Sequence, residues 1–209
     1  MAATPFASNT SSRSTAAGVF CRWRVWLAGF LALVALQLGR GVASEESAPG
    51  EYEVKAAFLF HFAQFVDWPA RTFPSSEAPV VIGILGEDPF GSVLDGMVKG
   101  ESIGARPLAV KRLASESEIS GCQILFVSRS EKKIVPTLLQ RLKEQPVLTV
   151  SEVDHFCEAG GAVHFIIEDT RVRFEINPDA PRLAGIKVNS NLLRVGRIVQ
   201  GRTPAAPPP

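Results

Sequence analysis

A chain of 209 residues is long enough for one ordinary domain with extensions. With 46% hydrophobic residues, 21% charged residues and a formal net charge of +1, its composition excludes a disordered chain, a coiled coil and a strongly basic nucleic-acid binder. Three cysteines are too few for a disulfide framework.

Residues 1–21 are rich in Ser, Thr and Ala, with Arg13 as their only charge. Arg22 and Arg24 then precede an apolar run from Val25 to Gly39, followed by Gly41-Val-Ala-Ser44 and the acids Glu45 and Glu46. A basic start, about 15 apolar residues and a small-x-small site are the parts of a secretory signal peptide, so residues 1–43 are expected to be a cleaved export signal. A retained membrane anchor is the alternative. Against it, the run falls short of the ~20 residues a bilayer span needs, and Arg40 truncates it. Cleavage removes four arginines and no acid, lowering the basic count from 22 to 18 against 21 acidic residues, a net charge of −3. A mildly acidic exported domain does not bind phosphate polymers, so no nucleic-acid partner is expected.

Residues 44–50 read as a polar linker. From Glu51, Val54, Phe58, Phe62 and Phe65 recur at helical spacing, widened by Ala57, Leu59 and Val66, and Pro69 stops the helix. Pro79–Leu85 is nearly all apolar, as a strand buried on both faces should be. Asp88-Pro-Phe reads as the capped start of a helix running to Val98. Arg106–Leu113 alternates as a more exposed strand, and Cys122–Ser128 is again a buried one. Glu131–Gln145 carries an amphipathic pattern with Ile134, Leu138, Leu139 and Leu142 on one face. Pro146–Ser151 is a further strand, with a short helix expected over Glu152–Glu158 and a stop at Gly160-Gly161.

Ala162–Glu168 and Arg171–Asn177 are strand patterns separated by Asp169-Thr170, the spacing of an antiparallel hairpin. In the second strand Val172, Phe174 and Ile176 share one face, and Arg171, Arg173, Glu175 and Asn177 the other. Pro178–Ile186 is a turn or short helix, and Ser190–Val199 a capped closing helix. This order predicts a three-layer, Rossmann-like α/β domain over residues 51–200, with a mostly parallel sheet, a C-terminal antiparallel hairpin and one antiparallel strand at an edge. Residues 201–209 are expected to be a disordered Pro-rich tail.

Candidate chemistry is sparse. Gly83, Gly86 and Gly91 follow the first buried strand, but their spacing matches neither G-x-G-x-x-G nor G-x-x-x-x-G-K-[ST] and fits a tight turn. No G-x-S-x-G, H-E-x-x-H or C-x-x-C occurs. His61, His155 and His164 are scattered, without a carboxylate or second histidine at ligand spacing. No catalytic residue, cofactor or metal is therefore expected. Cys122 enters its strand at the N-terminal end, whereas Cys157 follows the C-terminal end of the next. In parallel strands those ends stand ~15 Å apart, beyond the ~7 Å reach of a disulfide, so two free buried thiols are expected.

Taken together, Val54-Lys-Ala-Ala-Phe-Leu-Phe-His-Phe-Ala-Gln-Phe-Val-Asp-Trp-Pro69, Ile82-Gly-Ile-Leu-Gly-Glu-Asp-Pro-Phe-Gly91, Cys122-Gln-Ile-Leu-Phe-Val127, Gly160-Gly161, Arg173-Phe-Glu-Ile-Asn177 and Ser190-Asn-Leu-Leu193 resemble the YfiR family of exported bacterial regulators. The resemblance implies a periplasmic α/β protein without catalytic residues that represses the periplasmic part of an inner-membrane diguanylate cyclase, lowering cyclic di-GMP and biofilm growth. A sensor kinase is the alternative membrane partner, and a homodimer is left open. Disulfide-based redox control belongs to that picture; two poorly placed cysteines depart from it. The partner-binding residues expected here are Arg173, Glu175 and Asn177 with Pro181 and Leu183 of the following turn. The competing expectation is a small-ligand sensor whose crevice, at the C-terminal strand ends, is lined by Gly86, Asp88, Gly91 and Ser151.

Overall fold

The computed structural model of the chain describes residues 50–201. The expected export signal, most of the linker and the Pro-rich tail past Gly201 lie outside the described residues.

Helix α1 spans Glu51–Phe65. Glu53 takes the Gly50 amide at 3.1 Å, and Glu51 and Glu53 place negative charge in the first turn, where the helix dipole favours it. The helix buries Lys55, Ala56, Leu59, Phe62 and Ala63. This stripe is rotated from the one expected: Val54 and Phe58 are half-buried and Phe65 is 36% exposed. The small Ala56 and Ala63 face the core in place of the larger periodic residues, and Phe58 and Phe62 reach Phe174 at ring-centroid distances of 5.3 Å. Strand β1 (Val66–Asp67) follows and pairs antiparallel with β9 (Lys187–Val188). The Trp68 indole donates to the Gln123 carbonyl at 3.1 Å, tying this segment to the main sheet.

That sheet has eight strands in the order β10-β8-β7-β6-β5-β2-β4-β3. Its members are β2 (Val80–Leu85), β3 (Ser102–Ile103), β4 (Arg106–Leu113), β5 (Ile124–Val127), β6 (Leu148–Ser151), β7 (Val163–Glu168), β8 (Arg171–Ile176) and β10 (Arg197–Ile198). Pairing is parallel from β4 through β2, β5 and β6 to β7, and antiparallel in the β7–β8 hairpin. Asp169 and Thr170 both take positive φ, as a two-residue type I′ turn demands. The antiparallel strand does not form the edge on this side. The chain returns through α4 (Asp179–Leu183) and α5 (Ser190–Val195), then adds β10 parallel to β8. Antiparallel β3 caps the opposite edge.

Three layers result. On one face α1, α2 (Ser92–Val98) and α5 bury Leu59, Phe62, Leu94 and Leu192 against Ile82, Ile84, Phe126, Val150, Phe165 and Phe174. On the other, α3 (Val135–Leu142) packs Leu138, Leu139 and Leu142 on Leu85, Leu125 and Val127. Alternation along the strands sends neighbouring residues to opposite cores, which is why β5 and β6 are buried throughout.

Four local expectations are corrected. Glu152–Glu158 forms successive turns instead of a helix, with His155 at φ 61°. The amphipathic helix covers only Val135–Leu142, because a 3₁₀ turn at Arg129–Glu131 precedes it. The Asp88 carboxylate accepts the Phe90 and Gly91 amides in a loop, leaving Gly91 at the start of α2. The closing helix begins from Asn189, whose side chain takes the Asn191 amide, and ends at Val195 so that Arg197 and Ile198 can join the sheet.

Candidate functional site

The charged row expected on the hairpin is present, with a changed membership. On the sheet side opposite α1, Arg171 and Arg173 are exposed, and Arg197 of β10 lies in register with Glu175. Glu175 is shared between two partners. His164 Nδ1 lies 2.9 Å from its Oε2, and the Arg197 guanidinium binds its Oε1 through Nε at 3.1 Å and through a close Nη2 contact. Burial pushes this carboxyl up, but the hydrogen bonds from His164 and Arg197 outweigh it and hold it below the usual carboxylate range. Glu168 stands 4.0 Å from Arg173 and 3.7 Å from Arg197, completing a cross-strand network that is mostly exposed. Sequence reasoning missed His164, Glu168 and Arg197 as members of this face. The first two follow from the hairpin register; Arg197 does not, because Arg197-Ile198 falls inside the helical pattern of Ser190–Val199.

Two residues expected on that face are not on it. Asn177 is 2% exposed. It lies one residue past β8, where the chain turns inward; its Nδ2 donates to the Cys157 carbonyl at 3.3 Å and its Oδ1 accepts the Asp179 amide at 3.1 Å. Pro181 is buried on the inner side of α4, whereas Leu183 is 48% exposed. The exposed face thus comprises Arg171, Arg173, the accessible edge of Glu175, Glu168 and Arg197, while Leu183 is exposed on α4.

The C-terminal strand ends bring Gly86, Asp88, Gly91 and Ser151 into the same region, but the protein's own side chains occupy much of it. Gly86 has φ 88°, and the space a Cβ would need is taken by Ser130 and Glu131. Asp88 binds Arg112 Nε at 2.9 Å, and the Gly91 carbonyl accepts Arg112 Nη2 at 2.8 Å. Ser151 is fully buried; its hydroxyl donates to the Val127 carbonyl at 2.7 Å and accepts the Val153 amide at 3.1 Å. Phe90 closes over Phe126 and Tyr52, at centroid distances of 4.8 and 5.8 Å.

Beside these rings lies a feature the sequence did not single out. Lys55 is 1% exposed and Glu152 4%, with Nζ 2.5 Å from Oε2. Glu51 also contacts Lys55, the Tyr52 hydroxyl lies 3.4 Å from both Glu152 oxygens, and Arg129 Nε is 3.7 Å from Oε1. Burial, then the Glu152 charge, raises the Tyr52 phenol above its ordinary range. The network staples α1 to the turn after β6.

Cys122 and Cys157 are free and buried in different surroundings. Cys122 packs in the α3-side core, and Cys157 Sγ faces the carbonyls of Ala162 and Glu175 at 3.6 and 3.7 Å. Burial, with the nearby Glu175 charge, pushes the Cys157 thiol up to about 12, and burial also raises Cys122. Among the described residues no three His, Cys, Asp or Glu side chains gather as a metal site, and no helix is long and apolar enough to cross a membrane.

Fold and site together define a three-layer α/β domain whose distinctive polar surface is one end of a sheet face. The chain belongs to the YfiR/HmsC-like family, whose model matches residues 52–197. With that membership comes a family-level role, regulation in cyclic di-GMP signalling.

Proposed function

We propose that the chain is exported to the periplasm through residues 1–43 and acts there without catalysis. It binds the periplasmic part of an inner-membrane diguanylate cyclase and represses it, lowering cyclic di-GMP. Membership in the YfiR/HmsC-like family supports this reading, and the observation that carries it to particular residues is the exposed face of β8 and β10. Arg173 is 55% exposed there and its nearest acid, Glu168, is 4.0 Å away, so its charge is available to a partner's carboxylate. Leu183, 48% exposed on α4, is the apolar residue of this reading.

Co-purification of the chain with a membrane cyclase, together with cyclic di-GMP measured in a deletion strain, tests the reading. Repression predicts a captured cyclase and a rise in cyclic di-GMP on deletion. Unchanged cyclic di-GMP with no membrane protein captured refutes it. Arg173→Glu should weaken capture while leaving the melting temperature within about 2 °C, since exposed pairs contribute little to stability.

A further inference from the structure

Where β6 and β7 begin, at the end of the sheet opposite the expected ligand crevice, a cavity of about 140 Å³ opens between α3, the start of β6 and α4. Leu139, Leu142, Ala162 and Ala184 give it an apolar floor. Two buried polar side chains line it, Thr149 at 5% exposure and Asn177 at 2%. The Thr149 hydroxyl accepts the Ala162 amide at 3.0 Å, and among the described residues nothing takes its own proton. Asn177 commits one amide proton to the Cys157 carbonyl and has a second to give. Two spare donors in a buried lining are a cost that a ligand oxygen removes.

The mouth adds a charge. Lys143 is exposed on the rim without a carboxylate partner among the described residues, while Asp179, the acid on the lining, is engaged by Arg182 at 2.9 Å. A surplus of donors with one available cation selects an anion over a cation. Size limits the occupant: an apolar cavity of about 150 Å³ holds a benzene ring, so this one takes about six to nine non-hydrogen atoms.

We propose that this crevice binds a short aliphatic or monocyclic monocarboxylate, its hydrocarbon on the leucine and alanine floor and its oxygens toward Thr149, Asn177 and Lys143. The inference stands on the cavity and does not depend on a cyclase partner. It does give a regulator an input, because Asn177 directly follows the last residue of β8.

The test is an NMR titration of the ¹⁵N-labelled chain with 4-methylpentanoate, and in parallel with 4-methylpentan-1-ol and 3-methylbutylammonium. Saturable shifts at the Thr149, Ala162, Asn177 and Leu183 amides are expected with the carboxylate, weaker ones with the alcohol and none with the amine. Lys143→Gln, at an exposed position that does not threaten the fold, should weaken the carboxylate about 2- to 5-fold and leave the alcohol unchanged. Thr149→Val should weaken both about 2- to 10-fold. The proposal is overturned if neither 4-methylpentanoate nor benzoate gives saturable shifts at these amides up to about 10 mM. It is equally overturned if Lys143→Gln leaves carboxylate affinity unchanged, or if the amine binds as well as the acid.

Discussion

Lys55→Met removes the ammonium from a pair in which Lys55 is 1% exposed and Glu152 4%. Deleting one member of a buried ion pair costs about 3–5 kcal/mol, because the other charge stays buried. Here Glu152 keeps the Tyr52 hydroxyl at 3.4 Å and Arg129 Nε at 3.7 Å, which puts the cost at the low end, about 3 kcal/mol. For a domain of about 150 residues that is a fall in melting temperature of roughly 6–12 °C. The reverse change, Glu152→Leu, leaves Lys55 with Glu51, 43% exposed and able to lead it toward water, and should cost less, about 2 kcal/mol. The double variant replaces the pair by apolar groups of similar volume and should lie within about 1 kcal/mol of the parent. Urea unfolding of all four proteins, followed by circular dichroism, measures the cycle. A loss below about 1 kcal/mol for Lys55→Met, or additive losses in the double variant, would refute the reasoning.

Three further outcomes follow from buried or paired groups. Glu175 is held below the usual carboxylate range, so its contribution to stability is present above about pH 4.5 and is lost as pH falls through its folded value. Glu175→Gln should flatten the acid side of a melting-temperature profile between pH 6 and 3, and an unchanged acid limb would count against the His164–Glu175–Arg197 contacts. The Cys157 thiol, raised to about 12, favours the folded state below the unfolded value of about 8.5 and loses that advantage as pH rises toward 12. Its alkylation at pH 8 should be at least about 1,000-fold slower in the native protein than in urea, and native labelling within minutes would sink the argument. Finally, a Cβ placed on Gly83 would lie 3.4 Å from Cys122 Cβ and 2.8 Å from its Sγ, close to disulfide geometry once Leu113, 3.1 Å away, gives slightly. Gly83→Cys should oxidise with Cys122, showing a two-dalton mass deficit and gaining about 2–4 kcal/mol; persistent free thiols after oxidative refolding would contradict it.

Much of the fold was legible because its signals are local. Val80–Leu85 and Ile124–Val127 are continuous apolar runs, and Asp169-Thr170 between two alternating segments specifies a hairpin whatever surrounds it. What failed depends on distant residues. Lys55 sits between Val54 and Ala56 and has no local reason to be buried; its partner, Glu152, is 97 positions further on and meets it only when β6 delivers the turn at its end. Arg197-Ile198 is too short for a period of two to register, and the closing strand forms only where β8 leaves an unpaired edge. Asn177 continues the polar alternation of Arg173 and Glu175 in the sequence, but the strand ends at Ile176 and the alternation ends with it.

That difference bears on how the face can recognise anything. Glu175 was singled out by its place in the row, yet its two oxygens already serve a buried histidine and the guanidinium that helps hold β10 on the sheet. A partner that recruited Glu175 would have to replace those bonds, and reversing its charge would disturb the sheet edge and the surface together. Arg173 and Arg171 are different: the nearest acid to Arg173 is at 4.0 Å, and Arg171 has no ion pair among the described residues. Exposed cations with little internal competition gain most from meeting an acidic surface, where desolvation is shared and steering is strongest. Binding through this face should therefore respond to Arg171→Glu and Arg173→Glu at unchanged stability and weaken as salt rises from about 50 to 300 mM. The same affinity in both variants and at both salt concentrations would move the interface elsewhere.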